Sequence, residues 1–424
     1  MTGRKLLDDC FLHDKDRMKH ADCLDQIVRQ LGPVVGRDHV NVAETVGRFL
    51  ASVISAPRNV PLHDNAAVDG YAFSHAAHAA RDGRFPISLR IAAGDTRSHD
   101  LPDGTAARIF TGAVMPEGAD TVAMQEDCTL ADDGKTVIIP PGLKPGANRR
   151  KAGEDVAAGA TILHPGTRLR PQDIAALSSF GLASADVFAP VKVAVMSTGT
   201  ELVEPGQSIA VGQVYDSNRA MLKSLAATLP CTVTDLGILP DDARLIERTI
   251  AETARAHDLI LTSGGVSRGE EDHIVTAIDR LGKRHIWQIA IKPGRPMSFG
   301  QIGDCVFIGL PGNPVAAFVC FLLYVQPAIT VLGGGQWQEP PRFPVPAGFT
   351  VAKKKADRRE FWRGWLETDA DGRLSVKKFA RDGSGLISGL RQATGLIEIP
   401  EEVTAVNEGD LVSFLPFSGF GLPA

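Results

Sequence analysis

Carboxylates set directly behind a glycine loop are the first chemical signal in this chain. In LILTSGGVSRGEED, residues 259 to 272, the apolar run Leu259 to Leu261 reads as a buried strand, and Gly264 and Gly265 let backbone amides approach a ligand closely. Glu270, Glu271 and Asp272 then open the next helix. That order suits an anion together with its counter-cation. Two similar turns, VAVMSTGTEL at 193 to 202 and VFIGLPGNPVAAF at 306 to 318, end predicted strands in the same way. One such turn is a weak signal for a ligand, whereas three in one region are a strong one.

The elements that must carry these loops follow from the apolar pattern. From Val191 to about Gly335 strands and helices alternate (VKVAVM, SNRAMLKSLAATL, TVTDLGIL, ARLIERTIAETARA, DLILT, HIVTAIDRL), which is the pattern of a doubly wound α/β domain. All three glycine loops fall at the carboxyl ends of its strands, where such sheets bind ligands. Upstream, residues 21 to 55 carry helical periodicity, first at Leu24, Ile27, Val28 and Leu31, then at Val42, Val46, Phe49, Leu50, Val53 and Ile54. Residues 59 to 155 break into short β runs, ISLRIAA, ARIFT, TVAMQED and TVIIPP, with DDGK as a hairpin turn. Residues 156 to 189 are mixed, with a helix from about Gln172 to Phe180; packed with the first helical segment, they make the β-rich module an insertion. After Pro340, FWRGWLETDADGRLSVKKF reads as a hairpin, and GLIEIP and DLVSFLPF as further strands.

The expected architecture is therefore α/β and multidomain. It comprises an N-terminal tail (1–20), a discontinuous mixed linker domain (21–57 plus 156–189), a β-rich domain (58–155), the α/β domain (190–338) and a C-terminal β-barrel-like or sandwich domain (339–424). Composition agrees with several domains: 424 residues exceed one core, and 43 Gly with 27 Pro make roughly a sixth of the chain, against roughly 12% in average usage, which implies many tight turns. A net charge of -5 argues against nucleic acid as the main partner. Six cysteines, without CxxC or zinc spacing, read as reduced thiols of a cytoplasmic protein. The first twenty residues lack the apolar core of a signal peptide, and the longest apolar run, Val315 to Val325, stops at Gln326 and Pro327, too short for a membrane span.

Eight motifs in order carry a family resemblance: DNAAVDGYA (64–72), TGAVMPEGAD (111–120), NRRKAGED (148–155), STGTEL (197–202), LPDD (239–242), TSGGVSRGEED (262–272), IAIKPGRP (289–296) and GLPGNP (309–314). Across nearly its whole length the chain resembles the molybdopterin molybdenumtransferases of the MoeA type, also present as the C-terminal part of gephyrin. The resemblance implies a four-domain homodimer in which the α/β domain binds molybdopterin and the β-rich domain is a lid. It implies insertion of molybdate into adenylated molybdopterin with release of AMP, aided by magnesium (Mg2+), and a molybdopterin adenylyltransferase and recipient molybdoenzymes as partners. It also implies that Asp69, in the lid or its hinge, completes the site across the dimer interface, with Thr111, Glu126, Arg150 and Asp155 in the same lid.

The substrates' chemistry fits these residues. Molybdate is a dianion and adenylated molybdopterin carries a pyrophosphate, so the site needs donors at Thr198–Gly199, Gly264–Gly265 and Gly312–Asn313, and positive charge from Lys292 and Arg295. Glu201, Asp241, Asp242 and Asp272 would repel phosphates unless a hard divalent cation sat between them. The bland alternatives are compatible in part. Asp69–Gly70 could be a plain tight turn, and Glu201 and Asp272 could be helix-capping acids. Only one of Asp241 and Asp242 need be a ligand, and Asp241 is preferred by its offset from LGI. Pro311 and Pro314 shape a turn and start a helix, which presents the loop amides with little ordering cost. Ser384 or Ser388, in GSGLISG, could line the cleft beside the α/β domain. Gln288 stands where many relatives are expected to have a lysine, and Arg268 is the residue expected to replace that charge. The competing functions are a molybdopterin adenylyltransferase, which uses a similar α/β domain, and a non-catalytic carrier or scaffold, for which no linker or low-complexity segment speaks.

Overall fold

The segment VKVAVMST is apolar on both alternating faces, as a strand covered on both sides must be. In the computed structural model, which describes residues 17–264 and 273–423 and only the backbone over 284–288, it forms β1 (Val191–Thr198) of a six-stranded sheet. There follow α1 (Ser217–Ala226), β2 (Cys231–Leu239), α2 (Ala243–Ala256), β3 (Leu259–Ser263), α3 (His273–Leu281), β4 (Lys283–Gln288), β5 (Pro296–Ile302) and β6 (Cys305–Leu310). The spatial order is β2-β1-β3-β6-β5-β4; the first four strands are parallel, and β5 pairs antiparallel with both β6 and β4. Val193, Val195, Leu261 and Ile308 point to the face covered by α1, while Ala194, Met196, Ile260 and Phe307 meet Ile246 and Ile250 of α2 and Ile274 and Ile278 of α3. Leu259, Ile260 and Leu261 are all fully buried. Each such side chain contributes about 1.5–3 kcal/mol over its exposed state.

The apolar run after β6 does not stop at Gln326. It continues as one helical rod from Pro314 to Leu332, 19 residues, packed inside the protein with only Pro314 and Phe318 partly exposed, though long and apolar enough to cross a membrane. Proline inside a helix normally loses a hydrogen bond and clashes with the preceding turn. Here a π-helical turn over Phe321–Val325 resets the ladder, so Pro327 falls in the first turn of the next α segment, where its missing N–H costs little. The helix His20–Gln30 buries Cys23 and Ile27 in the same core, and His20 Nδ1 lies 2.9 Å from the Tyr324 hydroxyl.

The second half of the helical pattern, residues 42 to 54, is not a helix. It forms a 3-10 turn at Val42–Glu44, single bridges from Phe49 and Leu50, and a short strand at Ile54–Ser55. Val46 and Val53, two of the residues that completed the periodicity, are about half exposed, and Gly47 sits in left-handed backbone.

The C-terminal strands Phe343–Pro346, Arg359–Thr368, Leu374–Lys378, Gly395–Ile399 and Leu411–Pro416 form a second sheet, which Ile291–Lys292 joins by parallel pairing with Arg359 and Glu360. A bridge from Ala347 to Val376 brings its first and third strands together, giving a barrel-like closure.

Apart from the stretch after Ala51, these parts belong to one compact unit, which among the described residues holds the chain from Arg17 to Ala51, Pro165–Arg170 and the residues from Ala185 on; a second unit holds Ser52–His164 and Pro171–Ser184. The second unit is built on a six-stranded sheet in the order Thr121–Met124, Gly70–Phe73, Ala106–Ile109, Arg84–Ile91, Thr136–Ile138, Thr129–Leu130. Ala72, Ala107 and Val122 pack on one face, and Tyr71, Phe73 and Phe85 on the other. Gly70 is not a turn glycine. It pairs with Ile109 and Met124 on its two sides, and a Cβ there would stand 1.9 Å from the Ala123 carbonyl oxygen.

Candidate active site

Register places the ends of β1, β3 and β6 side by side, since Ser197 pairs with Ser263 and Ser263 with Leu310. The winding of the sheet reverses between β1 and β3, and open α/β sheets bind ligands at such a point. Thr198 closes β1, and Gly199 and Gly264 take φ values of 144° and 94°, which only glycine adopts freely. The Gly264 amide donates to the Leu310 carbonyl at 2.9 Å. Asn218, in the first turn of α1, donates to Ser263 Oγ at 2.7 Å and to the Gly312 carbonyl at 2.6 Å, tying two of the loops together. Asn218 Oδ1 and the buried Ser197 Oγ have no partner among the described residues, which leaves hydrogen-bonding capacity at this edge.

The acids divide by role. The Glu201 carboxylate folds back over Gly199, where an added Cβ would lie 2.6 Å from Oε2. Asp242 caps α2, accepting from the Arg244 and Leu245 amides at 2.9 Å each, and those donors, Leu245 first, hold its carboxyl below the usual range. Asp241 makes no cap and has Oδ1 3.7 Å from His273 Nε2. Thr198 pairs with Leu239, so Glu201 and Asp241 both follow neighbouring strand ends.

A cavity of about 270 Å³ lies within the same unit, between the loop Lys292–Arg295 and the C-terminal sheet. Lys292, Arg295, Pro311 and Ser384, four of the residues singled out from sequence, line it. Pro314 begins the long helix beside it, where the Val315 amide donates to the Ser384 carbonyl at 3.0 Å. Arg363, Lys378 and Arg381 add three more cations, against a single acid, Asp382, which pairs with Lys378 at 2.5 Å. Arg363 is 5% exposed and donates to the Leu386, Arg381 and Gly383 carbonyls, which shapes the loop carrying Ser384. Glu360, 3% exposed, accepts from Trp362 Nε1 at 2.8 Å and stands 3.8 Å from Lys292 Nζ, so one buried carboxylate braces two cavity walls. Such a cavity is built for a compact anion.

In the second unit, Asp69 and Thr111 are brought together. Asp69 Oδ1 accepts from the Thr111 amide at 2.8 Å and from its hydroxyl at 2.7 Å. These donors, the amide foremost, hold the Asp69 carboxyl below its ordinary range, and the Arg108 guanidinium adds to the effect. Glu126 neighbours this pair through Gln125, whose amide donates to the Asp69 carbonyl at 3.1 Å and whose side chain donates to Glu126 at 3.0 Å. Arg150 sits on a two-residue strand paired with Asn65, and the Asp155 amide donates to the Val60 carbonyl; among the described residues neither hydrogen-bonds to Asp69.

Gly265, Arg268 and Asp272, and the side chain of Gln288, lie outside the described residues. Sequence reasoning missed Asn218, Arg363, Lys378 and Arg381. The last three sit in and just after the hairpin FWRGWLETDADGRLSVKKF, which was read only for its strand pattern.

Three family models match the chain in order: the MoeA N-terminal region (domain I and II) over residues 18–181, a probable molybdopterin binding domain over 194–331, and the MoeA C-terminal region (domain IV) over 347–417. The chain is similar to a molybdopterin molybdenumtransferase of Haemophilus influenzae, 38% identical over 93% of this chain and 97% of that one. It is also similar to one of Bacillus subtilis, 31% identical over 89% of each. Among solved structures, a molybdopterin biosynthesis MoeA protein of Pyrococcus horikoshii superposes with a TM-score of 0.81 at 26% identity, covering 95% of this chain and all of that one.

Proposed function

Since the chain belongs to the MoeA family of molybdopterin molybdenumtransferases, we propose that it inserts molybdate into adenylated molybdopterin and releases AMP. The observation that carries this reading is the cation-lined cavity beside the third of three aligned glycine loops. A tetrahedral dianion suits the cavity, held by Lys292, Arg295 and Arg363 with Ser384 as a neutral donor. The loops at Gly199, Gly264 and Gly312 suit a pyrophosphate that spans the strand ends, and Asn218 keeps two of those loops in register.

Magnesium fits the same edge. Among the described residues no cluster of three metal-binding side chains exists. A magnesium site needs fewer, because this ion usually takes one or two carboxylates and completes its shell with phosphate oxygens and water. Glu201 and Asp241 would hold it, with Asp272 as the third candidate. When bound there, the ion supplies charge neutralisation of the anhydride that is broken. Asp69 of the partner subunit completes the arrangement in a homodimer, placing a carboxylate kept ionised by Thr111 near the metal or the attacking oxygen.

The test is direct. Protein incubated with adenylated molybdopterin, molybdate and Mg2+ should release AMP in step with the amount of cofactor able to activate an apo-molybdoenzyme. Transfer of AMP from ATP to molybdopterin without molybdate would point instead to an adenylyltransferase.

A further inference from the structure

The cavity between the loop Lys292–Arg295 and the C-terminal sheet holds an anionic group of its own. Asp382 is the one carboxylate among its lining residues, and it pairs with Lys378, one helical-turn spacing earlier in the chain. The two partners are unequally placed. The Lys378 side chain is 11% exposed and that of Asp382 is 59% exposed, so the ammonium is held inside while the carboxylate stands at the rim.

Different contacts fix the two. Lys378 Nζ also donates to the Phe379 carbonyl at 3.2 Å and lies 5.4 Å from the centre of the Trp362 ring, whose Nε1 is tied to Glu360. Those contacts keep the ammonium in place without help from Asp382. The buried Arg363 guanidinium donates to the carbonyls of Arg381 and Gly383, the residues on either side of Asp382. The backbone there is pinned, and the short Asp382 side chain is left free to change rotamer. Burial pushes the Asp382 carboxyl up, but the Lys378 hydrogen bond and the charges of Lys378, Lys292 and Arg363 outweigh it and hold the group below its usual range. All three cations line the cavity. A bound dianion would draw on the same charges, and it and the carboxylate would repel each other.

We propose that Asp382 is a built-in competitor for the oxyanion seat, which pairs with Lys378 until a dianion enters, turns out to solvent as it does, and so sets the affinity for molybdate. Because it is tethered beside Lys378, its effective concentration there is high. It yields to a ligand that gains more from the cavity's cations than one carboxylate does, which favours a dianion over a singly charged anion.

This role rests on the proposed function, in which the cavity seats molybdate, and the sign of one measurement tests it. A residue that merely shaped the loop carrying Ser384 would weaken molybdate binding when replaced, whereas loss of a competitor strengthens it. Full-length protein without molybdopterin, titrated calorimetrically with molybdate at low salt, should bind about fivefold or more tightly after Asp382→Asn. Asp382→Glu keeps the charge on the same loop and should stay within about twofold of the unaltered protein. The molybdate concentration that half-saturates AMP release should fall in Asp382→Asn and not in Asp382→Glu. Unchanged or weaker binding in Asp382→Asn, or equal tightening in Asp382→Glu, would overturn the proposal. Tighter binding in Asp382→Asn with no AMP release from any of the three proteins would sink the insertion reading and leave this role standing; normal AMP release with unchanged binding would do the reverse.

Discussion

Thr111 donates two hydrogen bonds to a single oxygen of Asp69, and both favour the charged carboxylate. Asp69→Asn keeps the shape but removes the charge, so molybdenum insertion should fall by about 10²-fold or more while binding of adenylated molybdopterin is kept; cofactor formation and ligand binding measured side by side check this. Thr111→Val removes the hydroxyl but keeps the amide, which is the larger cause of the depressed titration. The Asp69 carboxyl should therefore titrate at a higher pH than in the unaltered protein, yet still below an ordinary aspartate, as followed by carbon-detected NMR. Glu360→Gln tests the brace beneath Lys292 and Arg358. Its partners are partly exposed, so the loss should be about 2 kcal/mol rather than the ~3–5 of a fully buried pair, seen in chemical denaturation. Lys292 and Arg295 were singled out in the sequence because proline and glycine mark their turn, and Ser384, with Ser388 as its alternative, because of the family resemblance. Arg363 and Arg381 were not, because only the curl of a β sheet brings a hairpin's cations against a helix start far away in the chain.

Elements were legible where one pattern had one physical meaning. The three loops were found because an apolar strand followed by glycine has few other readings, and their alignment then follows from parallel register. Residues 42 to 54 misled because half-exposed valines counted toward a periodicity that no buried face uses, and the rod Pro314–Leu332 was cut short because proline usually ends a helix. Two elements invite tests. Gly70→Ala would push a methyl into the neighbouring strand's backbone, which cannot give way as a flexible side chain can. Thermal unfolding should show a loss of about 3 kcal/mol or more in the second unit. His20, buried against Tyr324 and Phe361, has its titration lowered to about 4, chiefly by burial and then by Arg359. Above about pH 6.5 it is neutral whether folded or unfolded; as the pH falls, the unfolded chain takes up the proton first. Its contribution, about 3 kcal/mol, should fade between pH 6.5 and 4 and change no further below that. The difference in stability between the unaltered protein and His20→Gln, measured across that range, isolates this group from the carboxylates that titrate nearby.

At the scale of the whole molecule, the sequence reading expects a β-rich insertion at 58–155, and the structure groups Ser52–His164 with Pro171–Ser184 in one of two compact units. The proposed function places Asp69 of one subunit at the glycine loops of another. A symmetric dimer with shared sites makes a sharp prediction. Asp69→Ala and Glu201→Ala chains lie in different units, and each should be inactive as a homodimer. Co-expressed with distinguishable tags, half of the dimers should be mixed. In a mixed dimer, one site would carry both defects and the other neither, so the preparation should recover about a quarter of the unaltered insertion rate. If each chain built its site from its own Asp69 and Glu201, every site in the mixture would hold one defect, and no activity would return. Tandem purification of the mixed dimer, followed by the AMP-release assay, separates the two outcomes, since its rate should be about half that of the unaltered dimer in the first case and at background in the second.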